Sequence, residues 1–164
     1  MIKKIKLKIK IKKKMKKKLT KQTKSVREKD IKRNWYLIDL ENKVLGRVVS
    51  KIALILQGKN KVDYVPYLDS GDYVVAINAS KVNFTGRKIE QKTYTRYSGY
   101  PGGLKFERLK ELMNKSPEKV VSQAVSGMLP KNKFRKQRLK RLFIFRDDNY
   151  LVKDLVKEKL IKIS

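Results

Sequence analysis

The sequence predicts an α/β fold of three layers in one domain, carried between two charged extensions. Three observations predict it. Segments with strand character alternate with segments of helical periodicity from residue 34 onward. The first strand, helix and second strand have the spacing of a βαβ unit, which makes the two strands parallel with a right-handed crossover. A hydrophobic content of 40% over 164 residues supplies one core.

Each element has a local reason. Trp35-Tyr36-Leu37-Ile38-Asp39-Leu40 is rich in aromatic and aliphatic residues and reads as the first strand, with a turn at Glu41-Asn42-Lys43. Residues 44–57 put Leu45, Val48, Val49, Ile52, Ala53, Ile55 and Leu56 on one broad helical face, and Gly58 stands where a left-handed residue ends a helix. Tyr73-Val74-Val75-Ala76-Ile77 is a continuous apolar run, suited to a strand buried on both faces. Val82-Asn83-Phe84-Thr85 is expected to extend the sheet before a turn at Gly86, and residues 92–97 alternate as a strand. Gly99-Tyr100-Pro101-Gly102-Gly103 reads as a loop. Phe106, Leu109, Leu112 and Met113 then give an amphipathic helix. Residues 116–129 give another, with Ser116 as N-cap, Pro117 in the first turn, Glu118 complementing the helix dipole, and Val120, Val121, Ala124, Val125 and Met128 on one face. Leu142-Phe143-Ile144-Phe145 is a last short strand. Residues 152–163 read as a C-terminal helix through Leu155, Val156, Leu160 and Ile163.

Charge decides the class of partner. There are 44 Lys and Arg against 15 Asp and Glu, a formal charge of +29. That balance calls for a polyanion, nucleic acid before an anionic membrane. The absence of Cys and His excludes disulfides, Cys- or His-bearing zinc sites and His-based catalysis. No apolar run approaches the roughly 20 residues of a membrane span. Neither a cofactor nor a small-molecule substrate is expected.

The densest basic run is 131–141, following Ser126-Gly127-Met128-Leu129-Pro130. Phe134, Leu139 and Leu142 hold one side of a short helix to the core. Lys131, Lys133, Arg135, Lys136, Arg138, Lys140 and Arg141 are expected to point outward, with no acidic residue among them. The alternative is a solvated surface helix, but such helices usually mix Glu with Lys. Beside the Gly/Pro loop, Arg96, Tyr97, Tyr100 and Lys105 suit RNA, the rings stacking on bases and the cations meeting phosphates; alternatively the tyrosines only pack the loop. Arg47, Lys59, Lys61, Arg87 and Lys88 add cations at element ends. Asp39, Asp63, Asp69 and Asp72 invite comparison with a nuclease metal set, but their spacing matches no such motif, and Asp69-Ser70-Gly71-Asp72 is more simply a turn leading into a strand.

Residues 1–33 form a Lys-rich extension. Ile5-Lys6-Leu7-Lys8-Ile9-Lys10-Ile11-Lys12 alternates, but so much like charge gives no expectation of independent structure. It is a basic arm lying in RNA grooves, an organellar targeting segment, or a Lys-rich drift. Transit peptides favour Arg and Ser over this Lys and Ile, which favours the arm.

From residue 34 to residue 145 the chain resembles the universal large-subunit ribosomal protein thirteen family. The resemblance is carried by Trp35-Tyr36-Leu37-Ile38-Asp39, Leu45-Gly46-Arg47, Leu56-Gln57-Gly58-Lys59-Asn60-Lys61, and the run from Tyr64-Val65-Pro66-Tyr67 through Asp69-Ser70-Gly71-Asp72-Tyr73-Val74. It continues through Asn78-Ala79-Ser80-Lys81-Val82, Thr85-Gly86, Tyr97-Ser98-Gly99-Tyr100-Pro101-Gly102-Gly103-Leu104 and Ala124-Val125-Ser126-Gly127-Met128-Leu129-Pro130-Lys131-Asn132. The resemblance implies a three-layer α/β/α fold with a four-stranded parallel sheet. It also implies a non-enzymatic structural protein that binds large-subunit rRNA early in assembly and touches neighbouring ribosomal proteins. Its RNA-facing residues would lie around the Gly-Tyr-Pro-Gly-Gly loop and the basic segment after Pro130. The organisation expected is a basic extension over 1–33, a ribosomal α/β domain over 34–146 and a helical extension over 147–164. Asn132-Lys133-Phe134-Arg135-Lys136 and Arg146-Asp147-Asp148-Asn149-Tyr150 depart from the pattern of bacterial members and look like mitochondrial ones. A mitochondrial ribosome is therefore expected first, with a plastid or bacterial one behind it.

Overall fold

A computed structural model gives the fold and describes residues 25–147 and 160–163. The chain separates into two units, Met1–Asp30 and Ile31–Ser164. The described part of the first carries one 3-10 turn, Glu28–Asp30, and the Arg27 N–H donates to the Asp30 carboxylate. The expectations for residues 1–24 and 148–159 lie outside the described residues.

The second unit opens with β1 (Trp35–Asp39), α1 (Leu45–Gln57) and β2 (Tyr73–Ile77). The turn between β1 and α1 is held by Asn42 at φ 55°, a conformation that asparagine tolerates better than most residues. Gly58 ends α1 at φ 77°. A side chain there would also bring a Cβ to 2.7 Å from the Ser70 carbonyl oxygen, so both conformation and packing require glycine. β1 and β2 run parallel, Trp35 opposite Tyr73 and Asp39 opposite Ile77, as the βαβ spacing predicts.

There follow a one-turn α2 (Lys88–Gln91), β3 (Thr93–Tyr97), β4 (Leu104–Arg108), α3 (Leu109–Lys115), α4 (Pro117–Met128), α5 (Arg135–Lys140), β5 (Leu142–Ile144) and β6 (Leu160–Ile163). β5 pairs parallel with β2, and β6 pairs parallel with the other side of β1, giving the order β5-β2-β1-β6. β3 and β4 form a separate antiparallel hairpin.

Strand alternation sorts the core. Ile38, Val74 and Ala76 face α1 and α4, where Val49, Ile52, Leu56, Val120, Val121 and Val125 are fully or almost fully buried. Val75 points to the opposite face with Trp35, Leu37, Ile77, Phe143 and Phe145. There Trp35 stacks on Tyr73 with ring centroids 4.4 Å apart, and on Phe143 at 5.7 Å. The core helices among the described residues share the first face, so the α/β class is seen directly.

Three expectations need correction, and that of the Ser116 N-cap holds in position only. Residues 82–85 do not extend the sheet; only Asn83 bridges, to Val44. Phe106 lies in β4 opposite Thr95 and is 64% exposed, so the helix starts only at Leu109. Its three-residue spacing to Leu109 imitates a helical face, but pairing with β3 satisfies the backbone instead. Ser116 occupies the N-cap of α4 without a side-chain cap bond; its carbonyl accepts the Lys119 N–H. Residues 160–163, the end of the expected C-terminal helix, form β6, where pairing with β1 overrides the apolar spacing.

Candidate nucleic-acid interface

The basic run is built on Pro130, which follows the buried Leu129 at the end of α4. The Pro130 and Asn132 carbonyls accept the Asn132 and Arg135 N–H groups, and this tight turn starts α5. From there the cations divide. Lys131, Lys133, Lys136 and Lys140 are exposed. Arg135 is half-buried and donates through Nη2 to the Ser126 carbonyl at 2.6 Å and to Ser126 Oγ at 2.8 Å. It thereby satisfies a carbonyl in the last turn of α4, the end whose dipole favours a cation.

Arg138 and Arg141 turn inward. Both are buried, and both donate to one carboxylate oxygen of Asp69, Arg138 from Nε at 3.3 Å and Arg141 from Nη2 at 2.7 Å. The expectation that these two present their charge outward is thus corrected. The sequence showed no acid within the run, but the fold brings one from the segment that precedes β2. A neighbouring cluster uses Asp72, fully buried, which accepts the Asn34 N–H at 2.8 Å and pairs with Lys61. Lys61 is half-buried and donates also to the Lys32 and Ser70 carbonyls. Gly71 sits between the two clusters, and a Cβ there would overlap the Leu56 carbonyl. Asp69 and Asp72 are therefore committed to cations of this chain. Among the described residues no three His, Cys, Asp or Glu are grouped to hold a metal ion.

The β3–β4 hairpin has the opposite character. Every residue of β4 is exposed, and in β3 only Tyr94 is half-buried. Its loop turns on Gly99 at φ 91° and Gly102 at φ 73°, and is closed by the Gly103 N–H donating to the Tyr100 carbonyl. Tyr97 is 64% and Tyr100 76% exposed, so packing of the loop does not account for either ring. Register sets Arg96 directly opposite Lys105. Like charges in that position are destabilising by themselves, and Glu107 on the same face is one negative charge against two positive ones. The opposite face carries Tyr97, Leu104 and Phe106, all at least half exposed.

Arg47, Lys59, Arg87 and Lys88 are exposed as expected for element ends. Arg47 and Lys88 share a cleft of about 580 Å³ between α1 and α4, together with Lys92, Phe84 and Met128, which sequence reasoning missed. The available signal was a pair of glycines inside helical segments, Gly46 and Gly127, both lining that cleft. Away from these sites, burial works to raise the Asp39 carboxyl. The Asn78 amide, the Glu41 N–H and the charges of Lys43 and Lys81 together outweigh it and hold the group below its ordinary value. Lys81 is held above its ordinary value by its hydrogen bond and charge pairing with Glu41, both on the surface. Among the described residues no helix is long and apolar enough to cross a membrane.

Comparison with known proteins gives the family. The family described as Ribosomal protein L13 matches residues 33–150. Relatives named large ribosomal subunit protein uL13 include one from Caldanaerobacter subterraneus subsp. tengcongensis, 54% identical over 71% of this chain and 82% of its own length. One from Citrifermentans bemidjiense is 48% identical over 76% of this chain and 87% of its own length. Another, from Nautilia profundicola, is 50% identical over 79% of this chain and 93% of its own length. On the family match and on relatives of this identity and coverage, the chain belongs to the ribosomal protein L13 family.

Proposed function

We propose that the chain is a structural constituent of the large ribosomal subunit, binding and organising large-subunit rRNA during assembly and acting without catalysis. The relatives' name as large-subunit proteins supports the setting. The observation that carries RNA contact is the exposed β3–β4 hairpin, where Arg96 stands opposite Lys105 on one face, Tyr97 is exposed on the other and Tyr100 is exposed in the loop. A phosphate between the two cations relieves their repulsion, and the rings offer faces for bases. Lys131, Lys133, Lys136 and Lys140 add a second positive stripe. Arg47, Lys59, Arg87 and Lys88 widen the basic face, and neighbouring ribosomal proteins complete the surroundings. Arg135, Arg138, Arg141 and Lys61 act indirectly, by fixing the elements that carry the exposed cations.

The finer features of the reading follow the family. A four-stranded parallel sheet is supported by the pairings of β6 with β1 and of β5 with β2, while the third layer follows the family resemblance alone. The extension over 1–33 serves as an RNA-binding arm. The relatives named above come from bacteria, so a mitochondrial ribosome rests only on the departures at 132–136 and 146–150.

Salt dependence tests the contact. Each lost phosphate contact should lower the slope of log affinity against log salt by roughly 0.7–0.9. Replacing Lys131, Lys133 and Lys136 by Gln is therefore expected to flatten the slope by about 2 to 3 on large-subunit rRNA. Co-sedimentation with large subunits on a sucrose gradient is the companion result. Equal affinity for unrelated duplexes, with no large-subunit association, would instead identify a general nucleic-acid-compacting protein.

A further inference from the structure

The cleft between α1 and α4 has two unlike walls. Phe84, Ala124 and Met128 give it an apolar floor, while Arg47, Lys88 and Lys92 bring positive charge, with no carboxylate among the described lining residues. Asn83 and Gln123 supply groups that both donate and accept hydrogen bonds. The first turn of α1 forms part of the lining; it has no acidic residue, and its cap position, Val44, offers no side-chain bond.

Gly46 and Gly127 sharpen the picture. Gly46 is the second residue of α1 and Gly127 the last but one of α4, so the two helix ends meet the cleft without side chains. A Cβ added at either meets nothing within 4 Å, so the packing of this chain does not require either residue to be small. Both leave the cleft wider than a side chain there would.

A nucleotide matches this combination. Its base is flat with a hydrogen-bonding edge, and its phosphate is anionic. We propose that the cleft takes one unstacked nucleotide of large-subunit rRNA, with the base on Phe84 and Met128, its edge toward Asn83 or Gln123, and the phosphate toward Arg47, Lys88 and Lys92. This rests on the reading of the chain as an rRNA-binding protein. A peptide from a neighbouring protein would use the floor but leave three cations without a counter-charge, so charge complementarity favours the nucleotide. Its volume of about 580 Å³ lies within the ordinary range for a small-ligand site.

The test uses the full chain with its own large-subunit rRNA, transcribed with photoreactive 4-thiouridine or 6-thioguanosine in turn. Crosslinks are expected on peptides that contain residues 83–85 or 123–128. The Gly46→Leu, Gly127→Leu double variant should fill the cleft without disturbing the fold. It should melt no lower than the parent, bind the rRNA roughly tenfold or more weakly, and lose those crosslinks. Parent-like affinity in a folded variant, or parent crosslinks confined to the hairpin and the basic run, would overturn the proposal. If the double variant does not fold, Lys88→Gln with Lys92→Gln and the crosslink map of the parent decide in its place. Failure of the parent to prefer its own rRNA is a separate result that removes the functional reading and this proposal together.

Discussion

Arg138 and Arg141, and Arg96 and Lys105, are two pairs of cations with opposite surroundings. The first pair is buried on one Asp69 carboxylate. The second stands face to face on an exposed hairpin. Composition treats all four alike, yet one pair is held inside the domain by a carboxylate of the chain and the other stands exposed to solvent. The difference lies in the partner. A buried cation needs a carboxylate close enough to offset its loss of water, whereas a solvated one keeps its hydration until a phosphate replaces it.

Breaking the first pair should produce the largest effect. Asp69→Ala leaves two buried guanidinium groups without their counter-charge and is expected to cost about 3–5 kcal/mol. Urea denaturation measures it. A loss below about 1 kcal/mol would show that the arginines reach water and that the contrast is false.

A middle case is Asn78→Ala. Asn78 has φ 59°, which alanine adopts poorly, and its amide donates to Asp39 at 2.9 Å. The expected loss is about 1–2 kcal/mol at neutral pH. Its pH dependence follows from Asp39, whose folded pKa is depressed. That contribution is fully present above the unfolded value near pH 3.9 and disappears as the pH falls through the lower folded value. The gap between parent and variant should therefore narrow on acidification, and thermal melts across that range would show it.

The smallest effect on stability belongs to the hairpin. Arg96→Gln with Lys105→Gln should leave stability within about 0.5 kcal/mol, or raise it slightly by removing the facing charges. The same variant should bind rRNA more weakly and with a shallower salt dependence. A large drop in melting temperature would mean that these cations are structural too, and the contrast would collapse.

How much of this was legible in the sequence depended on the reach of each interaction. The βαβ unit was, because the face of α1 and the apolar run of β2 are local patterns. β4 was not, since Phe106 at three residues from Leu109 fits a helix as well as a strand, and only pairing with residues 93–97 decides. β6 failed in the same way, its partner β1 lying near the other end of the domain. Arg138 and Arg141 read as surface charge because their acid is 69 and 72 residues away in sequence. The exposure of Tyr97 and Tyr100 was readable because Gly and Pro around them leave little for the rings to pack against.

The strand order carries a consequence for how the molecule is made. β1, the earliest strand among the described residues, lies inside the sheet, and β5 and β6 lie at its borders. During synthesis β1 and β2 can meet early, but their outer edges remain open until the later strands leave the ribosome. Asp69 likewise waits for Arg138 and Arg141. Parallel pairings between distant segments close slowly and expose unpaired strand edges meanwhile. The nascent chain should thus be most prone to aggregation just before β5 emerges, and an RNA partner engaging the hairpin at that stage would act as its chaperone.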